Sequence, residues 1–435
     1  MNVELGYYSF AFLAVLLVLR VPIGVSLIVV SSLGIWFLRG FKAAFGTAKV
    51  IPFDFVAHWT LSAVPMFILM GAVASRTGMT SSLYGALRLW LGRVPGGLAI
   101  ATSFAGAGFS AICGSSLATT AAMGRIAVPE MLKMKYDVGL ATGAAAAVGT
   151  IGALIPPSII MVIYAVFAEI PVGQMLIAGV IPGIMTSLIY ALMIYLRCKF
   201  KPSLAPIIDT EPVSLLEKLS GLKSVWPILL IAFGITGSIY GGLATATEAG
   251  AAGAALTIII ALFQKSLSRK VFFESSIETV QTVASVFLIA IGAALMMRFL
   301  ALSGMPFHVS GLVTELTDNP IVVILMCCML YLILGAFLDP LGILLLTLPI
   351  LLPIFEDVGV NGIWAGVILI KMLEIGMLTP PMGLNVFVMK SIVGERVSLV
   401  QIFGGISWFL IAEIFIMALL IAFPSFILVL PGLME

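Results

Sequence analysis

Apolar residues in this chain come in runs too long and too continuous for the half-buried elements of a soluble domain. They cover about 5 to 38, broken at Arg20-Val21-Pro22-Ile23-Gly24, then 57 to 75, 97 to 131, 136 to 168 and 174 to 196. A polar stretch over 197–225, with Asp209, Glu211, Glu217, Lys218 and Lys223, reads as a linker. A second set covers about 226 to 263, broken at Gly241-Gly242, then 278 to 302, 321 to 355, 360 to 392 and 398 to 423. About 20 apolar residues cross a hydrocarbon core, so these runs predict membrane helices. The two sets match in order, with echoes of Gly114 at Gly335, Pro129 at Pro349, and Thr77-Gly78-Met79 at Ser303-Gly304-Met305. The pattern predicts an all-α polytopic membrane protein of two repeats, 1–196 and 226–435. Each repeat holds scaffold helices (5–38; 226–263), a hairpin (97–131; 321–355) and a broken helix (136–168; 360–392).

Two runs contain nearly the same phrase, Ile151-Gly152-Ala153-Leu154-Ile155-Pro156-Pro157 and Ile375-Gly376-Met377-Leu378-Thr379-Pro380-Pro381. A Pro-Pro pair removes backbone donors, so each helix is expected to unwind part-way across the membrane. Helices broken alike in both halves of a chain mark a secondary transporter whose binding site lies at the breaks. Solute transport is the expected function.

Composition narrows the class further. Hydrophobic residues make up 61% of the 435 and charged residues 10%, with a mean hydropathy of +1.22, which excludes a soluble multidomain protein. The net charge of +2 is spread over short loops and offers nucleic acid no patch. Cys113, Cys198, Cys327 and Cys328 lack metal-ligand spacing and lie in or beside apolar runs, which fits packing. Met1-Asn2-Val3-Glu4 lacks the basic start of a cleaved signal peptide, so the first run is expected to remain as a span.

Charge then sets orientation. Arg88, Arg93, Lys133 and Lys135 flank the run 97 to 131, whereas its counterpart 321 to 355 has no Lys or Arg between Leu302 and Ile370. By the positive-inside rule the first opens to the cytoplasm and the second to the outside, which makes each a re-entrant hairpin and the repeats inverted. Arg39, Lys42 and Lys49 fall on the outside in this scheme, where a short amphipathic piece along the interface would accommodate them.

Candidate chemistry gathers at the hairpin turns. Gly114-Ser115-Ser116, in a run of small residues and hydroxyls from Gly106 to Thr120, is expected to face the break at Gly152 to Pro157. Helix packing is the plain reading of any one of these serines. Exposed carbonyls and hydroxyls suit Na⁺, and the N-terminal ends of half-helices suit a carboxylate. The substrate candidates are Gly114, Ser115, Pro157, Pro381 and Asn385, together with Arg298, a cation near an outer end that either meets the anion or snorkels. The second hairpin carries Gly335 to Pro340 and is expected to face Thr379 to Gly383 and Asn385. A carboxylate at the helix centre costs about 2.5 to 3.5 kcal/mol on insertion scales, so Asp339 needs a cation, a partner or a capping role. Lys371 and Glu374, three apart on one helix, are expected to pair with each other rather than to act as ligands. Thr245-Ala246-Thr247-Glu248 predicts a capping box.

The run Gly108 to Thr119, the two Pro-Pro breaks and Thr245-x-Thr247-Glu248-Ala249 resemble the large membrane subunit of TRAP transporters of the DctM and SiaM type, over essentially the whole chain. The resemblance implies an ion-transporter-superfamily fold working as an elevator in the bacterial inner membrane. It also implies import of an organic acid driven by co-transported sodium ions, a small four-helix membrane partner, and a periplasmic binding protein that delivers the solute. Sodium sites in that family lie where hairpin tips meet broken helices. These positions map to Ser115, Ser116, Gly152 and Pro156 for one site and to Gly335, Asp339, Thr379 and Gly383 for the other. Because the chain starts at the large subunit, the small one is expected to be a separate polypeptide.

Other classes lack their residues. A primary pump needs a phosphate-binding loop, and no G-x-x-x-x-G-K-[ST] occurs. An enzyme needs a constellation, and the two histidines, His58 and His308, sit at distant segment edges. Matched inverted breaks do not describe a channel lining. A stand-alone sodium and organic-anion symporter of the same superfamily is the alternative.

Overall fold

A computed structural model of the chain describes residues 2–206 and 214–434. Asp209 and Glu211 of the expected linker lie outside the described residues. In chain order the helices are α1 (Val3–Val18), α2 (Ile23–Arg39), α3 (Phe41–Val56), α4 (Ala63–Arg76), α5 (Met79–Leu91), α6 (Gly97–Cys113), α7 (Ser116–Lys133), α8 (Val138–Ala147), α9 (Gly149–Gly152), α10 (Ile159–Phe167), α11 (Val172–Ala178) and α12 (Val180–Phe200). They continue as α13 (Leu215–Lys223), α14 (Trp226–Tyr240), α15 (Ala246–Phe263), α16 (Arg269–Ser303), α17 (Met305–Leu316), α18 (Pro320–Gly335), α19 (Pro340–Val358), α20 (Gly362–Gly376), α21 (Leu384–Val393), α22 (Leu399–Ala422) and α23 (Ser425–Gly432). No strand occurs among the described residues. Among the described residues, six helices are long and apolar enough to cross a membrane, or seven if the bent pair α13 and α14 is one span. The chain is a multi-pass membrane protein.

Local chemistry explains where these helices start and stop. The hairpin expected over 97–131 is α6 and α7. Gly114 at φ +61° ends the first arm, and Ser115, accepting from the Ala118 N–H, begins the second. The hairpin expected over 321–355 is α18 and α19, where Asp339 accepts from the Gly342 N–H and Pro340 takes the first helical position. Its tip is longer and does not repeat the left-handed glycine: Gly335 closes α18 inside the helix, and Ala336 is right-handed. Both broken helices unwind at the Pro-Pro pairs, whose peptide bonds are cis at Pro156-Pro157 and Pro380-Pro381.

Three features lie outside the apolar runs. The helix expected from 278 begins at Arg269, because its first turns are polar and ion-paired: Arg76 reaches Glu274 and Glu278, each at 2.8 Å. Lys42 and Lys49 lie exposed on α3, a 16-residue helix packed on α2 and α16. Within the expected linker, Leu215–Lys223 is helical, opened by a Ser214 and Glu217 capping box.

Packing sorts the helices into two groups. α16 lies along α2 and α4, α4 along α15, and α14, α1 and α3 complete that group. The other group joins α6 to α12 with α18 to α23, through α8 on α22, α18 on α20, and α7 on α8 and α21. The groups meet directly where α16 lies on α19 and where α4 and α14 lie on α6, and helices α5 and α17 also bridge them, with α5 on α6 and α4 and α17 on α19, α1 and α16.

Candidate functional site

The tip of the first hairpin is seated on the first break. A Cβ at Gly114 would fall 2.1 Å from the Pro157 carbonyl oxygen, and one at Gly152 would fall 3.0 Å from that of Ser115. Only glycine permits both the left-handed turn and this approach. Gly114→Ala therefore carries a backbone cost of about 1–2 kcal/mol and a clash as well. At Gly242, φ is +65° with nothing within 4 Å, so Gly242→Ala isolates the backbone cost. The melting temperature in detergent is expected to fall clearly further for Gly114→Ala. Equal falls would mean that the tip does not bear on the break.

Three side chains from three elements meet beside this contact. Ser116 Oγ donates to Glu374 Oε2 at 2.6 Å, and Asn385 Nδ2 donates to Ser116 Oγ at 3.1 Å. All three residues are buried, and Glu374 Oε1 and Asn385 Oδ1 have no hydrogen-bond partner among the described residues. Two buried oxygens without donors are costly unless a hydrogen-bond donor or a cation satisfies them. With Ser116 they form a hard oxygen set of the kind that accepts an alkali or alkaline-earth cation.

A cavity of about 420 Å³ opens from this cluster and is lined by Gly114, Ser115, Ser116, Asp339, Glu374 and Met377 on one side and by Gln281, Thr282 and Ser285 of α16 on the other. The tips of both hairpins thus reach one space. The first turns of α7, α10 and α19 also line it, through Ser116, Ile159 and Pro340, and helix N-termini favour an anion. The wall combines two carboxyl groups with three helix N-termini. A second cavity of about 670 Å³ shares Ser115, Gln281 and Thr282 and reaches Arg76, Arg125, Glu274 and Glu278.

Several candidates are placed differently from expectation. Lys371 does not pair with Glu374. Its Nζ lies 2.8 Å from Glu413 Oε1, with both side chains fully buried, which leaves Glu374 to the Ser116 cluster. Asn385 was expected opposite the second hairpin but bonds the first. Gly335 packs on Gly376, where a Cβ would fall 3.0 Å from the neighbouring Cα. Thr379 Oγ1 donates to its own helix at Ile375 O, Pro381 is exposed, and Gly383 at φ +62° opens α21. None of these last three lines the cavity of about 420 Å³ that Asp339 reaches. Pro156 and Pro157 are buried beneath the first tip. Asp339 serves as the cap of α19 and also reaches the shared cavity. Arg298 lines a separate cavity of about 1210 Å³ with Asp54, His58, Glu169 and Glu248. It has no side-chain partner among the described residues. The capping box forms as expected, with Thr245 N–H donating to Glu248 Oε2 at 2.8 Å and Glu248 N–H to Thr245 Oγ1 at 3.3 Å.

Glu374 is the residue that the spacing argument missed. Its signal was Glu413, a lone carboxylate in the apolar run 398 to 423, which needs a cation of its own and so competes for Lys371.

Comparison with known proteins agrees with the whole-chain pattern. Residues 10–426 match the family described as "Tripartite ATP-independent periplasmic transporter, DctM component". The chain is similar to the C4-dicarboxylate TRAP transporter large permease protein DctM of Pseudomonas aeruginosa, 36% identical over 87% of this chain and 88% of that one. It is also similar to the sialic acid TRAP transporter large permease protein SiaM of Vibrio cholerae, 32% identical over 96% of each. Its fold is similar to that of the Alcanivorax borkumensis YdaH transporter, with a TM-score of 0.66 at 14% identity over 89% of each chain. With a match that runs nearly from end to end, this chain belongs to the DctM-component family, the large permease subunits of TRAP transporters.

Proposed function

We propose that this chain is the sodium-coupled elevator of a tripartite importer for an organic acid, set in the bacterial inner membrane. It would work with a small membrane subunit and a periplasmic binding protein. The observation that carries the reading is the pair of donorless buried oxygens, Glu374 Oε1 and Asn385 Oδ1, beside Ser116, in a cluster whose Ser116 and Glu374 line a cavity that both hairpin tips reach. Sodium neutralises the carboxyl side of that wall, and the three helix N-termini then hold the substrate carboxylate. Ion and acid share one space, so each favours the other's binding, which is the basis of symport. Relatives named for C4-dicarboxylate and sialic acid support an acid as cargo.

The inverted-repeat reading, with 1–196 and 226–435 as its halves, rests on the matched order of hairpin and broken helix. The hairpin arms α6 and α7, of 17 and 18 residues joined by a tight turn, fit re-entrant insertion. The moving body in this reading is α6 to α12 with α18 to α23, and the framework is the group around α2, α4, α15 and α16. Glu274 and Arg298 lie about 36 Å apart along the single helix α16, so their cavities open on opposite faces. Positive-inside charge puts the Arg76 and Arg125 cavity on the cytoplasmic face. Because that cavity shares Ser115 with the site, the conformation is the inward-open one.

Reconstitution with the small subunit and binding protein tests this reading. Uptake is expected to require an inward Na⁺ gradient, to fall to background with K⁺ in its place, and to vanish without the binding protein. Uptake of free acid at full rate without the binding protein would overturn the tripartite reading in favour of a stand-alone symporter. Unchanged uptake in K⁺ would overturn sodium coupling.

A further inference from the structure

A second buried polar cluster lies behind the site. Glu413 Oε1 on α22 accepts from Lys371 Nζ of α20 at 2.8 Å, from Thr150 Oγ1 of α9 at 3.1 Å, and from the Tyr190 hydroxyl of α12. Lys371 also donates to Thr186 Oγ1 at 3.1 Å, and Thr150 and Tyr190 lie 3.1 Å apart through their hydroxyls. All five residues are fully or almost fully buried. Replacing a buried ion pair with apolar groups is often neutral or stabilising, so stability alone does not account for this cluster.

Its position suggests a different role. Helix α9 is a single turn of four residues between an unwound segment and the end of α8. Gly149 and Gly152, three apart on one face, abut the site: a Cβ at Gly149 would fall 2.7 Å from Asn385 Nδ2, and one at Gly152 would fall 3.1 Å from the Ser116 backbone nitrogen. Thr150 points the other way, into the charged cluster. So short a turn has little helical stability of its own, and its place depends on what grips it. On α20, Lys371 sits in the cluster and Glu374, one turn later, sits in the site.

We infer that the Lys371 and Glu413 pair is a positioning device for the cation site. Through Thr150 it holds α9 against the Ser115-Ser116 tip, and through α20 it sets the height of Glu374. This inference rests on the sodium reading above. Groups behind the ligands of a metal ion typically change its affinity by about 10–100-fold, and this cluster stands in that relation to Ser116, Asn385 and Glu374.

The test is the dependence of melting temperature on NaCl, against choline chloride at equal ionic strength, for the purified transporter complex. Binding to the folded state raises stability with ion concentration, so the titration yields a half-effective concentration. Thr150→Val keeps the shape and loses the hydroxyl. It is expected to raise the half-effective Na⁺ concentration about tenfold while leaving the melting temperature in choline chloride near that of the wild type. Thr150→Ser is expected to restore the wild-type value. Lys371→Met combined with Glu413→Leu, which strands no charge, is expected to show the same rise. If both variants keep the wild-type Na⁺ dependence, or move the melting temperature equally in both salts, the cluster is structural only and the inference fails. If the wild type shows no Na⁺-specific stabilisation, the sodium reading itself fails, and this inference with it.

Discussion

Glu374→Gln is expected to lower Na⁺-driven uptake by roughly a hundredfold while leaving the protein as stable in Na⁺-free buffer as the wild type. The size follows from about 3 kcal/mol for a buried charged partner, at 1.4 kcal/mol per tenfold. Preserved stability follows from the structure, because Lys371 is satisfied by Glu413 and Thr186 and does not lose a partner. If Lys371 and Glu374 were a pair, the same change would strand a buried ammonium and unfold the protein, so a large loss of stability would overturn the assignment. Asp339→Asn separates two roles at the second tip. Asparagine caps a helix about as well as aspartate, so α19 should keep its start while the cavity loses a charge. Uptake at the wild-type rate with wild-type Na⁺ dependence would leave Asp339 as a cap alone. Ser116→Ala should cost less than Glu374→Gln, because the Ser115 and Ser116 carbonyls survive it.

A disulfide between framework and moving body is expected to stop transport outright. Ile23 of α2 and Gly342 of α19 face each other across the two groups, where a Cβ at Gly342 would lie 2.4 Å from Ile23 Cδ1 and 3.5 Å from its Cγ1. Cysteine at both positions removes the crowding atoms and leaves the two Cβ atoms near bonding separation. The background should lack Cys113, Cys198, Cys327 and Cys328, none of which is bridged. Oxidation should then abolish uptake and reduction restore it. The control pair is Ile170→Cys with Gly362→Cys, where a Cβ at Gly362 would lie 3.7 Å from Ile170 Cγ1. Both positions belong to the body around α10, α11 and α20, so that bond should travel with the body and leave uptake intact. Full uptake with a complete Ile23 to Gly342 bond would mean a fixed carrier with local gates.

Hairpins and breaks were legible because their signals are local. Gly114 followed by Ser115 is a stop and a start within two residues, and a Pro-Pro pair breaks a helix whatever surrounds it. The same holds for Thr245 and Glu248, whose capping box closes within one turn. Helices α3, α5, α13 and α17 were less legible because they mix polar and apolar positions and so leave no long apolar run. The start of α16 was misplaced for a related reason, since Arg269, Lys270, Glu274 and Glu278 form a polar extension held by a partner about 200 residues away.

An all-helical membrane protein with two helical hairpins and two Pro-Pro-broken helices was already written in the chain, because apolar run length, capping residues and missing backbone donors act within a few residues of where they stand. The sequence also marked Ser115, Ser116, Gly152 and Asp339 as neighbours of a tip or a break. Which charges neutralise one another was settled by long-range packing. Lys371 is three residues from Glu374 and 42 from Glu413, and spacing along one helix favours the first. The folded packing of α20 against α22, α12 and α9 supplies Lys371 with Glu413 and Thr186, and gives Glu413 the Thr150 and Tyr190 hydroxyls. In a low-dielectric interior an ion pair that also gathers hydroxyl donors on its carboxylate prevails over a bare one. Glu374 is thereby released to Ser116 and Asn385, two residues that come together with it only when the first hairpin lies between the two broken helices.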